Sequence, residues 1–129
     1  MQRRCSVSDA RVSLGKTGED LAVAELERRG YEILARRYRR RGGEIDIIAR
    51  DRETTVFVEV KTRENGEFGD GWEAVRGWKQ RRMAGVAMDY AARNGLIDTR
   101  CRFDVVSIQF GSDGPAIEVY QNAFDAASR

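Results

Sequence analysis

Two acidic segments a short distance apart read as the arms of one β-hairpin: Gly43-Glu44-Ile45-Asp46-Ile47-Ile48 and Phe57-Val58-Glu59-Val60-Lys61. Apolar and β-branched residues dominate both, which favours strands. Side chains alternate along a strand, so Glu44, Asp46 and Ile48 are expected on one face of the first arm, and Glu59 and Lys61 on one face of the second. Between them, Arg50-Asp51-Arg52-Glu53-Thr54 is a polar stretch suited to a tight connection. Pairing Asp51 with Thr54 across a two-residue turn puts Asp46 opposite Glu59 and Glu44 opposite Lys61. Like charges placed directly opposite one another destabilise a sheet. Two carboxylates so placed in an apolar hairpin need a compensating charge, and a divalent cation or a lysine can supply it.

The residues that are missing narrow the chemistry. Histidine is absent from the 129 residues. That removes Ser-His and Cys-His nucleophile pairs, histidine metal sites and imidazole acid–base catalysis. Cys5 and Cys101 are too few for a cysteine zinc site. Any chemistry must come from Asp, Glu, Lys, Tyr, Arg and a borrowed metal. Hard oxygen ligands select Mg²⁺ or Mn²⁺ over zinc. The chain length suits one domain, and a hydrophobic fraction of 41% with a single proline marks a folding chain. No apolar run approaches the length of a membrane span, and no apolar stretch follows Arg3-Arg4 as a secretory signal requires. A cytoplasmic protein without membrane association is expected.

Along the chain, residues 1–12 read as a polar, flexible arm, 13–124 as a single domain and 125–129 as a tail. A first helix is expected from Leu14 or Thr17 to Arg29, with Thr17 and Asp20 resembling a capping box and Gly30 as the stop signal. Tyr31 to Arg40 reads as a strand, Gly42-Gly43 as a turn, and the two motif strands follow. Glu64 to Gly71 is a polar loop. A long helix is expected from Trp72 to Arg93, with Val75, Met83, Val86 and Tyr90 along one side, and Asn94-Gly95 ends it. Arg102–Phe110 and Ala116–Tyr120 are two further strands around the turn at Gly111-Ser112-Asp113-Gly114-Pro115. The order is α-β-β-β-α-β-β, an α/β fold. The first three strands can form an antiparallel meander, and the long helix can return a strand parallel to it.

Net charge is only +2, but Arg36, Arg37, Arg39, Arg40 and Arg41 crowd one segment and Lys79, Arg81 and Arg82 another. Such clusters suit phosphate contacts, although a solvated face is the plainer reading. Glu19 aligns with Ala22, Val23 and Leu26 at helical spacing and so can point at the sheet, unlike Asp20, Glu25 and Glu27. Beside Asp46 and Glu59 it is a third acidic member of one site. Lys61 can offset the carboxylates, orient a water or stabilise charge on a phosphate. Lys79 lies one turn before Met83 on the side of the long helix expected to face the sheet. It can reach a phosphate from there, or lie with its stem over Trp78 or Met83. Asp104 reads as a structural acid paired with an arginine.

An acid on the first helix, then Asp46, then Glu59-Val60-Lys61, resembles the PD-(D/E)XK nuclease superfamily, and the helix glutamate is similar to that of archaeal Holliday-junction resolvases. Gly18-Glu19-Asp20-Leu21-Ala22, Gly43-Glu44-Ile45-Asp46-Ile47-Ile48, Phe57-Val58-Glu59-Val60-Lys61 and Arg102-Phe103-Asp104-Val105 resemble more closely the small bacterial endonuclease-like family of the YraN type. The resemblance runs from Leu14 to Phe124. It implies a restriction-endonuclease-like core, a mixed sheet flanked by helices. It implies Mg²⁺ or Mn²⁺ held by Glu19, Asp46, Glu59 and the Val60 carbonyl, with Asp46, Glu59 and Lys61 as the catalytic set and Lys61 orienting the attacking water. Ile45 stands where the motif's name has proline. The activity implied is hydrolysis of phosphodiesters in nucleic acid, with DNA, including branched DNA, as the expected partner. A junction substrate would favour a symmetric homodimer with two sites. Two other functions fit the same residues: a nucleic-acid-binding protein that does not cut, and a partner-binding adaptor that keeps the nuclease fold.

Overall fold

The computed structural model describes residues 14–63 and 77–124. The expected arm, the 64–71 loop, the first turn expected for the long helix at 72–76 and the 125–129 tail lie outside the described residues. In chain order the elements are α1 (Leu14–Arg28), β1 (Glu32–Arg40), β2 (Gly43–Asp51), β3 (Thr54–Arg63), α2 (Gly77–Arg93), β4 (Cys101–Gly111) and β5 (Gly114–Phe124). This is the expected order. The helix α1 already includes Thr17, so Thr17 is not its N-cap.

Both helices end on glycine by the same device. Gly30 takes a left-handed φ of 97° while the Tyr31 amide donates to the Leu26 carbonyl at 2.9 Å. Gly95 takes a φ of 70° while the Leu96 amide donates to the Ala91 carbonyl at 2.8 Å. This six-to-one bond satisfies a carbonyl that the helix end would otherwise leave without a partner. Tyr31 and Leu26 also pack together in the core, which fixes the angle at which the chain leaves α1 for β1.

The five strands form one sheet in sequence order, β1-β2-β3-β4-β5. The pairs β1–β2, β2–β3 and β4–β5 are antiparallel, and β3–β4 is parallel. The α2 connection accounts for the one parallel pair, because a parallel return needs a long crossover. Asp51 pairs with Thr54 across a two-residue turn, as the hairpin register requires, with Arg52 at a φ of 60°. Pairing continues to Ile47 and Val58 and stops there. Asp46 and Glu59, the next two residues, stand where β2 and β3 part.

Each face of the sheet carries a helix and its own apolar layer. Ala22 and Leu26 of α1 pack on Ile47, Ala49, Val56, Val58, Val106 and Ile108. On the other face, Met83, Val86 and Ala87 of α2 pack on Ile45, Ile48, Phe57, Phe103 and Val105. Tyr90 joins them with its ring edge-on to Phe57 at 6.0 Å, and Phe57 meets Phe103 at 5.5 Å. Full burial of a side chain such as Phe57 contributes roughly 1.5–3 kcal/mol.

Two features depart from the expected pattern. Ile45 and Ile47 are two residues apart on β2 yet pack into opposite layers. Strict alternation therefore breaks at Asp46, and the shared face expected for Glu44, Asp46 and Ile48 does not hold along the whole strand. The cause lies across the β1–β2 ladder. Arg37, between the paired positions 36–47 and 38–45, has a left-handed φ of 54° that interrupts the pleat. In addition, β5 runs past Tyr120 to Phe124. Three of its residues oppose the single residue Asp104 in a bulge, with Asn122 at a φ of 56°.

Candidate functional site

Asp46 sits at the parted end of the β2–β3 pair. The Val60 amide, which has no carbonyl partner across that gap, donates to Asp46 Oδ2 at 2.8 Å. Burial, followed by the negative charge of Glu59, pushes the Asp46 carboxyl up to about 7. Glu19 and Glu44 push in the same direction, and the Val60 hydrogen bond opposes them. The two motif acids are thus electrostatically joined, as the hairpin register implies, with Glu19 close enough to act on the same carboxylate.

Glu59 is only 5% exposed, and Lys79 Nζ of α2 donates to its Oε2. The two residues share the wall of a cavity of about 240 Å³ with Gly43, Glu44, Asp46, Arg82 and Met83. Arg82 Nε donates to the Gly42 carbonyl at 2.6 Å and so ties α2 to the β1–β2 turn. The cavity is therefore acidic on the sheet side and basic on the helix side. Lys79 does face the sheet, as its helical position predicts. Its partner is a site carboxylate.

Glu19 is 7% exposed and faces inward from the second turn of α1, unlike the exposed Asp20 beside it. Arg36 donates to it at 2.9 Å and Arg37 at 3.2 Å. One residue earlier, Gly18 lets α1 come close to β3: a Cβ there would lie 2.1 Å from Thr62 Cγ2. Sequence reasoning missed this contact. The available signal was a glycine inside a helix, which costs about 1 kcal/mol against alanine and usually has a packing reason.

Lys61 is half-buried and has no ion pair among the described residues. Glu44, its expected cross-strand partner, bonds Arg39 at 3.2 Å instead, because the β2–β3 ladder has already ended. Four arginines of the first cluster have acid partners. Arg36 and Arg37 turn to Glu19, Arg36 also to Asp20, Arg39 to Glu44, and Arg40 to Asp89 at 2.9 Å. Arg41 and Arg81 are exposed.

Each site acid meets its own protein donor: Asp46 the Val60 amide, Glu59 the Lys79 ammonium, Glu19 two guanidinium groups. So arranged, no three acids among the described residues stand together closely enough to hold an ion. The donors themselves suit a hard divalent cation. The side-chain candidates are all carboxylates, and Asp46 feels the negative charge of Glu59, Glu19 and Glu44, against which the Val60 amide is its one opposing contact.

Asp104 does not line this cavity, and it pairs with an arginine, as expected. It is 0% exposed. Arg102 grips it through two bonds at 2.9 and 3.0 Å, the Asn122 amide donates at 2.9 Å from the β5 bulge, and Tyr31 donates at 3.2 Å. The hydrogen bonds to Asp104 hold the Arg102 pKa above its ordinary value.

No helix among the described residues is long and apolar enough to cross a membrane. Residues 18–108 match the model of the uncharacterised protein family UPF0102. A UPF0102 protein of Geobacter metallireducens is 51% identical over 115 residues, covering 89% of this chain and 94% of its own. One from Symbiobacterium thermophilum is 48% identical over 114 residues, covering 88% and 97%. One from Anaeromyxobacter dehalogenans is 44% identical over 121 residues, covering 94% and 90%. The chain belongs to the UPF0102 family, the YraN-type family whose motifs it carries.

Proposed function

We propose that this protein is a metal-dependent nuclease of the PD-(D/E)XK type, with a restriction-endonuclease-like core, that hydrolyses phosphodiester bonds of DNA. One observation carries the reading: two mutually repelling carboxylates, the half-buried Asp46 and the buried Glu59, wall a cavity whose other side is Lys79 and Arg82. An acidic floor suits a divalent cation, and a basic wall suits the phosphate it would activate.

Asp46, Glu59 and Glu19, with the Val60 carbonyl, would hold Mg²⁺ or Mn²⁺. When bound, that ion polarises a phosphate oxygen and acidifies a water. Lys61 follows Glu59 by two residues on β3 and is uncommitted to any acid among the described residues. It orients the attacking water for in-line displacement. Arg82, with Arg41 and Arg81, holds flanking phosphates. Arg36, Arg37, Arg39 and Arg40 are engaged with acids. The resemblance of the α1 glutamate, Glu19, to that of Holliday-junction resolvases makes branched DNA the first substrate shape to examine, and a homodimer the assembly that would cut it symmetrically.

The test is cleavage of a labelled panel of single strand, duplex, flap, four-way junction and RNA, in Mn²⁺ and in EDTA, by wild type and Glu59→Ala. Metal-dependent cutting lost in the variant supports the reading and names the substrate shape. Gel shifts without cutting would assign the protein to the non-catalytic binders. Neither cutting nor shifts would assign it to the adaptors.

A further inference from the structure

The geometry points to Lys79 as an internal counter-ion that occupies Glu59 and must give way to the divalent cation. The inference rests on the metal-binding reading above. Glu59 is nearly inaccessible, and a buried carboxylate needs a partner. Its partner comes from the third residue of α2, the element that follows β3 and packs on the sheet. The other site acids have donors of their own, a backbone amide for Asp46 and two arginines for Glu19. Lys79 is a point charge on a four-carbon stem that stays one-third exposed, and it holds Glu59 from the cavity wall.

A single ammonium carries one charge, and a divalent cation carries two. Lys79 answers Glu59 and leaves the repulsion between Glu59 and Asp46 largely in place. An ion shared by both acids answers both. Its arrival would free the Lys79 side chain beside Arg82, on the cavity wall where a phosphate oxygen would sit. The same lysine would then neutralise the acid when the site is empty and hold substrate when it is full.

The measurement is Mn²⁺ affinity by titration calorimetry, which needs no turnover. Wild type would be compared with Lys79→Met and Lys79→Gln. An Asp46→Asn/Glu59→Gln double variant sets the level of binding elsewhere on the protein. Lys79→Gln keeps a hydrogen-bond donor for Glu59, so it remains informative where Lys79→Met fails to fold. A charge-assisted hydrogen bond removed from competition should tighten Mn²⁺ binding about tenfold or more. Equal or weaker binding by both Lys79 variants, with wild type still above the double variant, overturns the competition and leaves the metal site standing. Binding by wild type and Lys79 variants alike that is no tighter than the double variant's overturns the metal site and this inference with it.

Discussion

The Val60 amide donates to the Asp46 carboxylate across the gap where β2 and β3 part, and this contact ties the acid of one strand to the strand that carries Glu59. The pairing ends one residue short of the two acids. A regular ladder would set the carboxylates directly against each other. The parted ends instead leave a peptide N–H to share the charge and open the cavity beside α2.

Burial and the charge of Glu59, which outweigh the Val60 amide, make Asp46 lower the stability as pH rises. Its carboxyl titrates near 7 in the fold and near 3.8 when unfolded, so between those values the folded state binds the extra proton. Each unit of separation corresponds to ~1.4 kcal/mol, a total of a few kcal/mol. Asp46→Asn does not titrate. Its stability relative to wild type should grow from pH 4 to pH 7 and then level off, as read by urea unfolding at each pH. A difference independent of pH would show that the carboxyl is not strained by its neighbours. Saturating Mn²⁺ at pH 8 should erase most of the gain by stabilising wild type.

Gly18→Ala should destabilise the protein although alanine is the better helix former. The new methyl would meet Thr62 Cγ2, and overpacking of this kind costs about 1–3 kcal/mol. Thr62→Ser removes that methyl and keeps the hydroxyl. The double variant should recover most of the loss, with a coupling above ~0.5 kcal/mol in a double-mutant cycle. Additive losses would mean that α1 does not approach β3 through this pair.

Asp104→Ala should behave as a structural lesion. It takes the acceptor from the Asn122 amide and leaves the partly buried Arg102 with only Asp51 and the Tyr31 hydroxyl, at a cost of about 1–3 kcal/mol. Mn²⁺ affinity of the folded fraction should match wild type. A selective loss of Mn²⁺ binding with little loss of stability would move Asp104 into the metal site.

Much of this was readable from the chain because it is local. Gly30 and Asn94-Gly95 carry helix-ending chemistry, and Asp51 with Thr54 sets the hairpin register by counting. Asp104 stands two residues from Arg102 on one strand, where the pairing is visible in advance. The face switch at Asp46 was not readable, because it follows from a left-handed Arg37 and arginine gives no signal of that conformation. The length of β5 was hidden by a bulge whose stabilising acceptor, Asp104, lies on another strand. The partners of the arginine cluster were hidden for a related reason. Crowding in sequence says nothing of the acids that α1, α2 and β2 bring to each guanidinium. Lys79 was placed on the correct side of its helix by periodicity, but its partner is fixed only by the packing of α2 on the sheet.

On the proposed reading, these residues catalyse phosphodiester hydrolysis and do more than bind a metal. Lys61 separates the two, in single-turnover cleavage of the best substrate in the panel at saturating Mn²⁺ by wild type and Lys61→Ala. Lys61 is not among the proposed metal ligands, so the variant should bind Mn²⁺ and DNA as wild type does and cut about a hundredfold or more slowly, the loss typical of a positioned proton-transfer or charge-stabilising group. Cleavage by Lys61→Ala at the wild-type rate, or no cleavage by wild type, would rule out this catalytic role.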